Sequence, residues 1–256
     1  LGTAVIYKDI KDKTYLATAN HVVQNEKEMH DWFGRKYELV SEKFFLLEDD
    51  EVDRFHNLLR RSSAIRQEDK FYVQDTSGAK TPPANYIIRT SEQMANLLKI
   101  IKPKAIKTVA QNEDKDLAVI SVPKLKHGPI PYSIGDAGEL QRQNLVYVVG
   151  WPLGLVENVT QGHITSINDS RLVRDDPENA FIFDAQISPG NSGGGIYAVR
   201  DGKLELVGVT SAMYVGGSSL FIGVKINGIS EVFKGNSIRC TKGWKCNLSS
   251  PYELKL

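Results

Sequence analysis

Short β-forming runs recur along the chain, and their number and spacing restrict its fold more than any other feature. They read "TAVIY" (3–7), "TYLATA" (14–19), "FYVQD" (71–75), "NYIIRT" (85–90), "LAVISV" (117–122) and "LVYVVG" (145–150). "HITSI" (163–167), "AFIFDAQI" (180–187), "GIYAV" (195–199), "LELVGVTSAMY" (204–214) and "LFIGVKI" (220–226) follow. Gly, Asp, Asn and Pro separate them, at the spacing of an all-β barrel or sandwich. "RDGK" (200–203) reads as a hairpin turn with Asp-Gly at its centre. No repeat of 20–50 residues is present.

One stretch breaks the pattern. Within 25–105, "DDEVDRFHNLLRR" (49–61) places Val52, Phe55, Leu58 and Leu59 at helical spacing, with acids at its start and arginines at its end. "SEQMANLLKII" (91–101) repeats the signal, with Ser91 as N-cap, Met94, Leu97, Leu98 and Ile101 on one face, and Pro103 beyond. The expected organisation is a β unit over 1–125 that contains an insertion of about 25–105, a second β unit over 126–235, and a tail over 236–256. The boundary falls in "PKLKHGPIPYSIGDAG" (123–138), where Pro and Gly gather. The insertion reads either as a tolerated surface elaboration or as a lid, docking platform or oligomerisation element.

Of 256 residues, 41% are hydrophobic and 25% charged, and the formal net charge is +1. Such a balance gives no long-range field, so neither nucleic acid nor an acidic membrane is expected as partner. No apolar run approaches the roughly 20 residues of a membrane span. The chain opens Leu1-Gly2-Thr3, with no methionine and no signal peptide, so a processed form with upstream residues is expected. Cys240 and Cys246 have the spacing of a small disulfide loop, which would favour an oxidising compartment; two free thiols are the alternative. With no histidine nearby they make a poor zinc site, and neither metal nor cofactor is expected.

"ISPGNSGGGIY" (187–197) sets glycines on both sides of Ser192. Glycine is used where the chain needs positive φ or where something approaches the backbone closely. The stretch is either a tight structural turn or a nucleophile whose bare backbone faces a substrate carbonyl. A nucleophilic serine needs a histidine base, a carboxylate to orient it, and N–H donors for the oxyanion. His30 and His56 lie in the polar insertion and His127 in the linker, where a solvated surface role is the simpler reading. His163 reads as a satisfied structural histidine. His21 ends the strand "YLATAN", and Asp116 opens the apolar strand of "DKDLAVISV". Taken singly, each is ordinary.

In order, these stretches resemble the trypsin-like (chymotrypsin-fold) serine proteases, and within them the HtrA or Deg group. The matching stretches are "LGTAVIY…TYLATANHVV", "DKDLAVISV", "VYVVGWPLGLVENVTQGHITS" and "DAQISPGNSGGGIY". The resemblance covers residues 1–23 and about 113–230. It implies two antiparallel six-stranded β-barrels with a helical insertion in the first, and peptide-bond hydrolysis through an acyl-enzyme. Ser192 would attack, His21 would act as base and Asp116 would hold the imidazole, while the N–H groups of Gly190 and Ser192, with Asn191, would form the oxyanion hole. Ile187 and Met213 would line an apolar primary pocket that takes small or medium aliphatic residues; the alternative is that Met213 faces the core. Ser211, Ala212 and Met213 would pair with the substrate backbone as an added strand, and Ser211 would reach Asp116.

Asn20 and Gly195 depart from the group's pattern, which has alanine and proline there. The separation of His21 and Asp116, 95 positions, exceeds the group's usual few tens. No PDZ domain is expected after the protease unit, and a homo-oligomer is left open. Protein or peptide substrates and a periplasmic or secreted location are implied. The alternative reading is a trypsin-like fold acting as a latent or non-catalytic protein-binding module.

Overall fold

The computed structural model describes residues 2–24, 28–30, 36–38, 45–48, 50–54, 57, 100–152, 157–168, 177–214 and 220–247. The chain divides into two compact units, one of residues 1–23 with 107–256 and one of residues 24–106.

In chain order the first unit begins with β1 (Val5–Ile10), β2 (Lys13–Ala19) and the one-turn helix α1 (Asn20–Val23). The second unit contains the hairpin β3 (Glu28–His30) with β4 (Lys36–Glu38), and β5 (Phe45–Leu46) paired with β6 (Lys104–Ala105). Residues 50–54, 57 and 100–101 of the two expected helices are helical. Most of 55–61, all of 91–99 and the expected strands at 71–75 and 85–90 lie outside the described residues. In this unit Val52 and Ile101 are buried, and Lys104 pairs with Glu48.

The first unit resumes with β7 (Lys107–Asn112), β8 (Leu117–Pro123), β9 (Ser133–Ile134), β10 (Leu145–Gly150), β11 (Asn158–Ile167) and β12 (Ala180–Phe183). Then come β13 (Gly195–Arg200), β14 (Lys203–Met213), β15 (Phe221–Lys225), the short helix α2 (Asn227–Ser230), β16 (Phe233–Lys234), β17 (Ser237–Ile238) and β18 (Lys245–Cys246). Strands β13-β10-β11-β12-β15-β14 close on themselves through the β13–β14 pairing, giving a six-stranded antiparallel barrel with β9 added in parallel to β14. In the N-terminal half the described strands form an antiparallel sheet in the order β1-β2-β8-β7-β18. The tail expected from residue 236 is thus tied in, because β18 pairs with β7 and a disulfide joins Cys240 to Cys246.

Two apolar clusters explain why these runs are strands. Val146 and Val148 of β10 point into the closed barrel with Ile196, Ala198, Val207, Phe181 and Phe183. Tyr147 and Val149, on the other face of the same strand, pack with Tyr197, Leu206 and Val209 against Tyr15, Ala17, Leu117 and Val119 of the N-terminal sheet. Strands covered on both faces read as continuous apolar runs rather than as strict alternation. Removing a core aromatic such as Phe181 or Phe183 by Phe→Ala typically costs about 3–5 kcal/mol.

Candidate active site

His21 sits on α1 directly after β2, and Asp116 ends the turn between β7 and β8, where the register pairs Ala19 with Leu117. Strand pairing therefore brings together two residues that lie 95 positions apart. Asp116 has φ 46°, a left-handed conformation that aspartate tolerates better than most residues. Its backbone is fixed on both sides: its N–H donates to Glu113 O at 3.0 Å, and its carbonyl accepts from Asn20 N at 3.1 Å. Asn20, a departure from the expected pattern, is buried, and its Oδ1 accepts from Gln111 Nε2 at 3.0 Å.

The Asp116 carboxylate gathers donors. His21 N donates to Oδ1 at 2.9 Å, His21 Nδ1 lies 2.9 Å from Oδ2, and Ser211 Oγ donates to Oδ2 at 2.6 Å. Burial pushes this carboxyl upward, but the His21 imidazole, the Ser211 hydroxyl and the His21 N–H outweigh burial and hold it below the usual carboxylate range. An ionised carboxylate only accepts hydrogen bonds, so Nδ1 carries the imidazole proton and Nε2 is left as the basic atom. The side chain of His21 is 44% exposed, which makes Nε2 reachable from solvent.

Ser192 lies in the turn between β12 and β13. Thr3 N donates to Ser192 O at 2.7 Å, and Thr3 Oγ1 donates to Gly190 O at 2.9 Å. Gly193 N donates to Thr210 O at 2.7 Å, and the buried Thr210 hydroxyl donates to Asn191 O. Gly193 has φ 84°, and a Cβ there would run into Thr18 Oγ1 and Thr3 O, so both conformation and space demand glycine. Gly190, at φ 100°, likewise takes a conformation that side chains disfavour. Asn191 is buried, and its N–H donates to Ser188 O at 3.0 Å. Among the described residues the N–H groups of Gly190 and Ser192 meet no acceptor. The Ser192 hydroxyl donates to Ser211 O at 3.3 Å, and among the described residues this is its one hydrogen bond.

Ile187 and Met213, both half-buried, pack against the same apolar cluster of the closed barrel. Pairing of β13 with β14 stops at Gly195 and Val209, so among the described residues Ser211, Ala212 and Met213 have β15 as their strand neighbour on one side only. His163 is exposed, and its N–H donates to Asp184 Oδ1 at 2.6 Å. His127 meets Asp9 Oδ2 through Nε2 at 3.2 Å on the surface, while His30 and His56 have no described side chains. The residues that sequence reasoning missed are Thr3, Thr18 and Thr210, which hold the Ser192 turn. Thr18 and Thr210 are fully buried and Thr3 half-buried, which only folding reveals. Among the described residues no His, Cys, Asp and Glu side chains gather as a metal ligand set, and no helix is long and apolar enough to cross a membrane.

A closed antiparallel barrel beside a second sheet is the arrangement of the trypsin-like class. Residues 2–209 match the trypsin-like peptidase domain family, and the chain belongs to it. Within that family it is similar to HtrA- and Do-type proteases. It is 35% identical over 115 residues to a "Serine protease HtrA-like" of Staphylococcus aureus, covering 41% of this chain and 15% of that protein. It is 33% identical over 126 residues to "Protease Do-like 1, chloroplastic" of Arabidopsis thaliana, covering 47% and 28% respectively. It is 27% identical over 146 residues to the "Periplasmic pH-dependent serine endoprotease DegQ" of Escherichia coli, covering 56% and 30%. The chain thus spans less than a third of the length of each of these relatives. Among solved structures it resembles an HtrA-type protease AlgW with a decapeptide, at TM-score 0.52 and 20% identity over 91% of this chain and 50% of that one, a likeness of fold.

Proposed function

We propose that this chain is a serine endopeptidase that hydrolyses peptide bonds in proteins through an acyl-enzyme. The observation that carries the reading is the Asp116 carboxylate, which His21 Nδ1 meets at 2.9 Å and to which Ser211, the residue whose carbonyl receives the Ser192 hydroxyl, donates at 2.6 Å. In this reading Ser192 Oγ leaves its bond to Ser211 O by rotation about its Cα–Cβ bond and passes its proton to His21 Nε2. The oxygen then attacks the scissile carbonyl. The imidazolium, stabilised by Asp116, returns the proton to the leaving amine. The N–H groups of Gly190 and Ser192 receive the oxyanion, with Asn191 acting through its packing alone.

The free edge at 211–213 accepts an extended peptide as an added strand, and Ile187 with Met213 favours a small or medium aliphatic residue before the cleaved bond. Proteins or peptides in an extracytoplasmic compartment are the proposed substrates. A disulfide and the periplasmic names of several relatives support that setting.

One observation favours a second reading. The Ser192 hydroxyl is bonded to a carbonyl rather than to the imidazole, as in a latent site whose role is protein binding. Labelling with a fluorophosphonate probe, followed by peptide mass mapping, separates the two. Modification confined to Ser192, and absent in Ser192→Ala, is expected. A folded chain that stays unlabelled would overturn the peptidase reading.

A further inference from the structure

We propose that the disulfide-closed loop Cys240–Cys246 is a positioning element for Asp116, and that its reduction by a dithiol lowers turnover. The inference rests on the reading of Asp116 as the carboxylate that holds His21. Strand β7 runs directly into the turn that carries Asp116, and the loop grips both. Lys245 and Cys246 pair with Gln111 and Ala110 of β7, and Asn247 N donates to Val109 O at 2.9 Å. Lys245 Nζ donates to Glu113 Oε1 at 2.7 Å, and the carbonyl of that same Glu113 receives the Asp116 N–H.

A second arm reaches the residue before Asp116. Trp244, 5% exposed in the shared apolar cluster, donates through Nε1 to Glu231 Oε2 at 3.4 Å. Glu231 Oε1 lies 3.9 Å from Lys115 Nζ, which also donates to Asn179 Oδ1 at 3.1 Å. Glu113 and Lys115, one on each arm, are thereby tied to the loop. The left-handed Asp116 persists because its surroundings hold it.

The loop in turn depends on its cross-link. Strand β18 has two residues, too few to hold itself by pairing, and Cys240–Cys246 closes the turn that presents Trp244 and Lys245. Cys240 is exposed and open to attack. One thiolate of a dithiol displaces a sulfur to give a mixed disulfide, and the second thiolate resolves it. The reductant gives up two electrons and two protons as it becomes a disulfide, and the two cysteines leave as thiols. With the loop opened, Trp244 and Lys245 detach more often, and Asp116 loses its fixed orientation.

The test measures kcat and KM on a peptide with an aliphatic residue before the cleaved bond, for the oxidised chain and after dithiothreitol. Reduction is expected to lower kcat three- to tenfold with KM within twofold, and reoxidation to restore it. A Cys240→Ser/Cys246→Ser variant should sit at the low value. In an Asp116→Asn background, reduction should leave the residual rate unchanged, which a general loosening of the fold would not do. The His21 Nδ1 proton, read by NMR without turnover, should be sharp when oxidised and broadened when reduced. Equal kcat in both redox states, a loss carried by KM, an equal loss in Asp116→Asn, or an unchanged Nδ1 signal would each overturn the proposal. If the oxidised chain hydrolyses nothing, the peptidase reading fails and the Nδ1 signal alone decides this one. Should the double serine variant not fold, Glu231→Gln cuts the second arm with the disulfide intact. It should then lower kcat in the same sense, and an unchanged kcat would count against the proposal.

Discussion

The Ser211 hydroxyl donates to Asp116 Oδ2 at 2.6 Å, the same oxygen that His21 Nδ1 reaches at 2.9 Å. Ser211 comes from β14 of the closed barrel, whereas Asp116 and His21 come from the N-terminal sheet. A single hydrogen bond therefore ties the carboxylate to the other half of the unit. Ser211→Ala removes it but leaves both His21 contacts. Turnover of a peptide substrate should fall roughly 10- to 150-fold with little change in KM, since a charge-assisted hydrogen bond contributes about 1.5–3 kcal/mol. A drop as deep as that of Asp116→Asn would mean that Ser211, rather than His21, sets the carboxylate's position.

Asp116→Asn keeps the shape and removes the charge. Loss of the tautomer and of imidazolium stabilisation should cost on the order of 10³–10⁴ in kcat. The same substitution tests the linkage between charge and stability. The folded-state carboxyl lies below its ordinary 3.8, so the folded chain holds fewer protons than the unfolded chain in the interval between those two values. Its stabilising contribution is complete above about pH 4 and is lost as pH falls through the lowered folded-state value. Urea midpoints of the native chain and of Asp116→Asn, measured from pH 6 down to 2.5, should converge at the acid end. Parallel curves would mean that the contacts around the carboxylate do not favour its charged form.

Thr210 is buried, and its hydroxyl serves Asn191 O and, at 3.4 Å, Gly194 O. Thr210→Val keeps the shape and removes one of the two donors to Asn191 O, whose other donor is Gly194 N at 2.7 Å, at a cost of about 0.5–1.5 kcal/mol. Because that carbonyl belongs to the Ser192 turn, the fluorophosphonate labelling rate should fall along with the urea midpoint. A lower midpoint with an unchanged labelling rate would show that the turn holds its shape without Thr210.

How much of this was legible depends on how local each signal is. The strands "LAVISV" and "LVYVVG" announce themselves by apolar runs that the fold buries on both faces. The glycines around Ser192 marked a turn because positive φ at Gly190 and Gly193 is a local demand. By contrast, β18 has two residues and no strand signature, and it pairs with β7 next to the Cys240–Cys246 disulfide and the buried Trp244. Thr3 and Thr210 look like any strand threonine until folding places the Ser192 turn between them. The engaged amide of Asn191 was equally hidden, since its acceptor, Ser188 O, depends on how that turn closes.

Ile187 and Met213 separate a pocket from a core most directly. Both are half-buried and lie against the apolar cluster of the closed barrel, so each has one side packed and another open. Met213→Ala removes the side chain beyond Cβ and should cost about 1–3 kcal/mol of stability, less than a fully buried site would. If the open side lines the primary pocket, the vacated space admits larger residues. The ratio of kcat/KM for a leucine substrate over a valine substrate should then rise about tenfold, the discrimination expected of a methylene-sized change in an apolar pocket. Peptides differing only at the residue before the cleaved bond, compared between the native chain and Met213→Ala, read this ratio directly. A stability loss with no change in the ratio would place Met213 in the core, and specificity would then have to be sought at Ile187 with the same pair of substrates.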